Sequence, residues 1–334
     1  MRGSRIMVAL LGAFALLTGG AAGGMAGGIA GGIAGGTPAE AAAPAPRPGL
    51  DGNGSLMEGR VFHDASGLVT VGVYELKGGS PQSIWTEAKV RVPDPDMIVI
   101  GGGATGTNWP EGAYLTASYP DWDKKAWVVS SKDHINRNEH ILTAYAIGLK
   151  IRGISAYDLA DMVKISPSSN VYGQYPSAEI GVGSNDYALV GGGFRIDWQG
   201  WGNMATASYP NPQSGYNSWV ASSKDHLHVS PASITSYAIG LPRWLPQIGR
   251  SLQARTTTAA SFESNKPGVD IDVEDGFALT GGGGLVERHN GAGNLIWKMA
   301  PRIHPNPGFD VASKEHNQPD TATIRAYALG IRIV

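Results

Sequence analysis

Three landmarks recur in the same order along the chain, and this threefold self-similarity limits its possible folds more than any other feature. Triple glycines start at Gly101, Gly191 and Gly281, 90 residues apart each time. A charged motif follows as Ser131-Lys132-Asp133-His134, Ser223-Lys224-Asp225-His226 and Ser313-Lys314-Glu315-His316. A terminal motif then reads Tyr145-Ala146-Ile147-Gly148, Tyr237-Ala238-Ile239-Gly240 and Tyr327-Ala328-Leu329-Gly330. Within each unit the apolar period is two, with Gly, Pro, Asn and Asp between runs, which predicts short antiparallel strands joined by hairpins. The expected fold is all-β, with three tandem antiparallel β repeats of about 90 residues at 60–150, 151–242 and 243–334. Two arrangements stay open: sandwich-like units in a row, or one pseudo-threefold assembly. The nearest approach to a helix, Ala156 to Lys164, is short.

The charged motif carries most of the chemistry. On an extended strand, Trp127, Val129, Ser131 and Asp133 share one face, and Lys132 and His134 the other. The carboxylates Asp133, Asp225 and Glu315 are expected to close their strands by accepting nearby backbone N–H or hydroxyl hydrogen bonds, and Tyr145, Tyr237 and Tyr327 of the terminal strands are counted with them as structural residues. The opposite face offers a ligand site. Lys132 with His134, Lys224 with His226, and Lys314 with His316 each set a cation beside an imidazole, giving three shallow sites for a hydroxyl-rich or anionic ligand. A motif present three times argues against a single active site, which needs one constellation in one cleft.

Metal chemistry has weaker support. His226 and His228 have the spacing of two ligands on one strand face, but Asn136 and Gln318 stand at the matching positions. Were the repeats to meet on an axis, Asp133, Asp225 and Glu315 could form an oxygen cage, although no spaced calcium-loop pattern is present. No metal or cofactor is expected, and no catalytic residue is assigned.

The glycine runs lack the following Lys-Ser or Lys-Thr of a phosphate loop, so they predict bulges or close backbone approach. The terminal strands have one bulky face, with Thr143, Tyr145, Ile147 and Leu149, and one small face, with Ala144, Ala146 and Gly148. The bulky side is expected to pack inward, and an aromatic from a neighbouring strand to fill the small side. Of the nine Trp, Trp109, Trp122, Trp198 and Trp201 fall in loops, where exposed indoles can stack on sugar rings.

Arg2 and Arg5 followed by apolar Ile6 to Leu17 form the charged start and apolar stretch of an export signal. The chain therefore divides into a signal and Gly/Ala-rich segment at 1–43, a linker at 44–59 and the three repeats. The rival reading is a lipid-embedded anchor, because Ile6 to Gly36 carries no charge and small residues recur every fourth position. Its many glycines weaken a helix, so no stable membrane span is expected after processing. The absence of Cys excludes disulfides and thiolate sites, and a net charge of −2 provides no field for nucleic acid. These features point to a secreted, extracellular, lectin-like protein without catalytic function, binding carbohydrate or another cell-surface polymer through three similar sites. One alternative is a secreted polysaccharide hydrolase or lyase with one active repeat, using carboxylates such as Glu111, Asp121, Asp123, Asp197 or Glu287. The other is a structural or adhesive surface protein.

Overall fold

The computed structural model describes residues 49–107, 112–287 and 293–334, with the side chains of 58–60 also outside the description. The segment expected to direct export therefore lies outside the described residues, as does Trp109. The chain is nearly all β. Its first part forms β1 (Asp51–Asn53), β2 (Ser55–His63), β3 (Val69–Lys77), β4 (Ile84–Arg91), β5 (Ile98–Thr105), β6 (Tyr114–Pro120), β7 (Ala126–Lys132) and β8 (Thr143–Ile151). The expected 44–59 linker thus contains β1 and the start of β2. A short helix, α1 (Ala156–Met162), begins where Ser155 Oγ accepts the Asp158 N–H and buries only Leu159. Then come β9 (Lys164–Pro167), β10 (Val171–Gly173), β11 (Ser177–Gly181), β12 (Tyr187–Asp197), β13 (Met204–Pro210), β14 (Ser218–Lys224) and β15 (Ala232–Pro242). The last part forms β16 (Trp244–Leu245), β17 (Arg250–Ala260), β18 (Gly268–Asp272), β19 (Ala278–Val286), β20 (Leu295–Arg302), β21 (Gly308–Lys314) and β22 (Ile324–Ile333).

These strands form three sheets, and each sheet draws on two parts of the sequence. The first runs β1-β4-β7-β6-β12-β15-β10, with β9 also on β15; the second runs β11-β14-β13-β19-β22-β17-β16; the third runs β18-β21-β20-β5-β8-β3-β2. All pairings are antiparallel except β1 with β4. Residues 60–150 send β4, β6 and β7 to one sheet and β3, β5 and β8 to another, so no segment completes a sheet alone. One apolar core, reaching from Val69 through Phe194 to Ile331, joins all three sheets.

The triple glycines explain how three sheets come so close, because each position meets a different neighbour. At the first, a Cβ on Gly101 would strike Thr280 and Gly281, one on Gly191 would strike Ile100, and one on Gly281 would press on Val190 and Gly191. β5, β12 and β19, one from each sheet, therefore face one another backbone to backbone. The middle glycines lie under aromatic rings: Gly102 under Trp127, Gly192 under Trp219 and Gly282 under Phe309. The third glycines, Gly103, Gly193 and Gly283, sit against the Met299, Ser118 and Ser208 carbonyls of the adjoining strands. A register shift accompanies each run, between Val99 and Gly101, Leu189 and Gly191, and Leu279 and Gly281. Close approach and bulge are thus both present.

On the terminal strands the aliphatic residues of the bulky face, among them Ile147, Leu149, Ile239 and Ile331, pack into the main core, whereas the tyrosines of that face do not. Tyr237 stacks on Tyr119 at 5.2 Å in a small cluster apart from the main core, and Tyr327 stacks on Tyr209 at 5.3 Å. The small side is the one that receives an aromatic: Ala238 packs with Trp219. An indole needs the space that Ala and Gly leave, as expected for the small face, and the Tyr stays on the bulky face in its own stacked pairs.

Candidate functional site

The charged motifs lie where β7, β14 and β21 end, among loops gathered at one end of the sheets. All three Lys and all three His are buried, so the shallow, exposed Lys–His sites expected from strand alternation do not form. Alternation fails because the strands stop at Lys132, Lys224 and Lys314, before the His.

After each His the chain makes a three-residue turn. The Asn136 N–H donates to the His134 carbonyl at 2.6 Å, His228 to His226 at 2.7 Å and Gln318 to His316 at 2.7 Å. The central residues Ile135, Leu227 and Asn317 have φ of 59°, 62° and 58°. Such γ-turns are strained for residues with a side chain. Their effect is to drive the imidazoles inward and leave the next side chains outside. His226 is buried and His228 exposed, which removes the expected shared face for a metal.

The three imidazoles meet. Ring centroids are 5.3 Å apart for His134 and His226, 5.2 Å for His134 and His316, and 5.4 Å for His226 and His316. His226 Nε2 lies 2.7 Å from the His316 carbonyl, and His316 Nε2 lies 2.7 Å from the His134 carbonyl. Each of these carbonyls thus serves both its own turn and a ring from another part of the chain. His134 is held by ring packing, its nitrogens having no hydrogen-bond partner among the described residues. Burial, then Lys132 and the other rings, pushes the His134 pKa down to about 2; burial, then His226, takes His316 down to about 4. Both rings are therefore neutral at ordinary pH. Among the described residues no group of three His or carboxylates has the geometry to hold a metal.

The lysines brace loops that belong to other strands. Lys132 Nζ donates to the Trp201 carbonyl and lies 4.5 Å from the centre of the Trp198 ring. Lys314 Nζ donates to the Thr107 carbonyl at 2.7 Å and lies 5.2 Å from the Tyr114 ring. Each ammonium reaches from the end of one strand to the loop that follows a neighbouring glycine strand. Burial lowers the Lys132 pKa to about 7, and Lys224 is lowered for the same reason.

The carboxylates turn back on their own loops instead of meeting in a cage. Asp133 accepts the Asn138 N–H at 2.7 Å, Asp225 the Ser230 N–H at 3.0 Å and Glu315 the Asp320 N–H at 3.0 Å, always five residues on. The extra methylene of Glu315 does not change this clamp.

Ser131, His140 and Asp133 form a constellation that the repeat pattern concealed, because Ala232 and Ala322 occupy the places matching His140. Ser131 Oγ lies 2.7 Å from His140 Nε2, and His140 Nδ1 lies 3.3 Å from Asp133 Oδ1. Only the Ser131–His140 contact is a hydrogen bond; His140 Nδ1 and Asp133 Oδ1 make none among the described residues, so the three do not form the relay of a nucleophilic triad, and Ser131 is fully buried with the carboxylate nearest the rim. Ser131 cannot meet a substrate in this conformation. The carboxylates considered for hydrolysis are also engaged. Asp121 pairs with Lys89 at 3.1 Å, Asp197 with Arg195 at 2.8 Å and Glu287 with Arg325 at 2.6 Å, while Asp123 lies 3.9 Å from Arg91. Glu111 lies outside the described residues.

Of the loop tryptophans, Trp198 and Trp201 are half-buried beside Lys132, the first through its ring and the second through its backbone carbonyl. Trp122 sits at the opposite end of the sheets, exposed, with its ring 6.3 Å from Tyr237. Comparison with protein-family models and with curated proteins finds no match to this chain.

Proposed function

We propose that this is an exported, non-catalytic protein that binds carbohydrate or another cell-surface polymer through three similar loop clusters. Its three repeats of about 90 residues act in this reading as one pseudo-threefold body, each lending strands to its neighbour. The observation that carries the reading is the bracing of the loops: buried Lys132 and Lys314 fix, through carbonyls, the loops after the glycine strands. A buried charge spent on holding a surface loop is expensive, and it is repaid where that loop must present side chains in a fixed pose. Trp198 and Trp201 are such side chains, suited to stacking on sugar rings beside polar backbone groups. Lys132, Lys224, Lys314 and the three His position the loops without touching the ligand.

The test incubates the chain from Pro44 with soluble and insoluble polysaccharides and reads retained protein and released reducing ends together. Retention without product, with up to three sites per chain, is the expected result. Release of product would overturn the reading in favour of an enzyme, and the absence of both would favour a structural or adhesive role.

A further inference from the structure

Three equivalent sheet edges are finished in three different ways. β4, β11 and β18 pair with β7, β14 and β21, and their residues Val90, Ile180 and Ile271 stand opposite Trp127, Trp219 and Phe309. Lys89, Glu179 and Asp270 are therefore equivalent, as are Arg91, Gly181 and Asp272. On β4 the outer side is occupied by β1, which runs parallel to it. The Lys89 N–H donates to the Leu50 carbonyl at 2.6 Å, and the Gly54 N–H to the Arg91 carbonyl at 2.9 Å. Asp51 pairs with Arg91 at 3.0 Å, and Leu50 packs against the main core. β18 is closed by its own surroundings. Thr257 Oγ1 donates to the Asp272 carbonyl at 2.5 Å, the counterpart of the Arg91 carbonyl, and Arg302 engages the Asp270 and Asp272 carboxylates.

β11 has neither device. The Ser223 N–H donates to the Pro176 carbonyl and the Val182 N–H to the Asn217 carbonyl, both at 3.1 Å. Ala178 and Ile180 between them therefore bond β14, and Ser177, Glu179 and Gly181 turn their N–H and C=O groups outward. β11 ends its sheet, so among the described residues no strand takes up these groups. Ser177 and Glu179 are exposed, and a Cβ on Gly181 would meet nothing closer than the Asn217 carbonyl at 3.5 Å. Outward backbone groups of this kind are a template for another strand.

The occupied edge shows what the open one accepts. β1 sets Leu50 over the core, Asp51 opposite basic Lys89 and next to Arg91, and Gly52 opposite Val90. At β11 the charge is reversed, since Glu179 is its only charged residue. A second copy of the chain fits poorly: two β11 strands paired antiparallel about Glu179 would oppose like charges, and a copy's β1 arm would bring Asp51 to Glu179.

We propose that β11 is a docking edge for an extended peptide of another protein, added as a parallel strand with an apolar residue opposite Ala178, Lys or Arg opposite Glu179 and a small residue opposite Ile180. Main-chain hydrogen bonds hold such a strand, and the alternate side chains select it.

The experiment follows backbone amide NMR shifts of the isotope-labelled chain from Pro44, which retains every described residue. The probe is the hexapeptide Gly-Leu-Lys-Gly-Asn-Gly, the sequence of 49–54 with Asp51→Lys, added to about 10 mM. The Glu179 and Gly181 amides are expected to shift on titration. The hexapeptide that keeps Asp should bind about two- to fivefold more weakly, the size of an exposed ion pair, and Glu179→Lys should reverse that order with the fold's own amide pattern retained. The proposal is overturned if the β11 amides do not move, if those of β18 move equally, or if the two peptides bind wild type alike. Movement of the same amides on raising the protein concentration without peptide would also overturn it, by placing a second copy on the edge.

Discussion

Acidification from pH 7 to pH 5 should weaken the fold far more than the surface charges require, because it titrates rings that the fold holds neutral. His134 and His316 have folded pKa values pushed down to about 2 and about 4, mainly by burial, against 6.5 for the free side chain. Above pH 6.5 both states carry neutral rings and nothing is lost. Below it the unfolded chain takes up protons that the folded chain refuses, so stability falls until the pH reaches the folded values. Each pH unit costs about 1.4 kcal/mol per ring, so the step from 6.5 to 5 removes about 2 kcal/mol for each and about 4 kcal/mol for the pair. Carboxylates, with ordinary values near 4, remain largely ionised over this range. Against a typical total stability of about 5–15 kcal/mol, such a loss is easily seen. Urea unfolding at pH 7 and pH 5 should show it as a lower midpoint with an unchanged slope, and His228→Asn, on the exposed neighbour, should leave the pH effect intact. Equal midpoints at the two pH values, or a pH effect abolished by His228→Asn, would refute the reasoning.

Other consequences concern single side chains. Gly192→Ala places a methyl inside the Trp219 ring and should cost about 3 kcal/mol or more in thermal unfolding, whereas Gly79→Ala, which meets nothing within 4 Å, should stay within about 0.5 kcal/mol. Lys132→Met keeps the apolar stem but removes the donor to Trp201, so amide exchange across residues 199–204 should rise at least about tenfold, a local opening cost of about 1.4 kcal/mol. Asp225→Ala should free the Ser230 amide to exchange and lower stability by about 1–3 kcal/mol. Ser131 should resist a fluorophosphonate probe in the native protein, and labelling there would show that the buried Ser131–His140 pair opens to substrate.

Local patterns in the sequence were informative wherever one strand determines its own neighbours. Alternation gave the strands, and the glycine runs, lacking any phosphate-loop context, pointed to close backbone approach. The motif ends were harder to read for a specific reason. Strand alternation placed Lys132 and His134 on one exposed face, but Ile135, Leu227 and Asn317 adopt positive φ that no glycine advertises. Those turns carry the His inward, and that consequence depends on partners about 90 and 182 residues away. The exchange of strands between segments is likewise invisible locally, since β6 pairs with β12 through only two registered positions, Ser118 with Phe194 and Ala117 with Arg195. His140 escaped notice because it breaks the repeat pattern, being matched by Ala232 and Ala322.

The interdependence of the segments can be tested on the middle one, residues 151–242, expressed alone and followed by circular dichroism on heating. Its β11, β13 and β14 would lack β19, its β12 and β15 would lack β6, and the Trp219 cluster would lose Leu329. No cooperative melting transition is expected from the isolated segment. A sharp, reversible unfolding transition with native-like β signal would instead show that each segment folds by itself, and would contradict the woven arrangement.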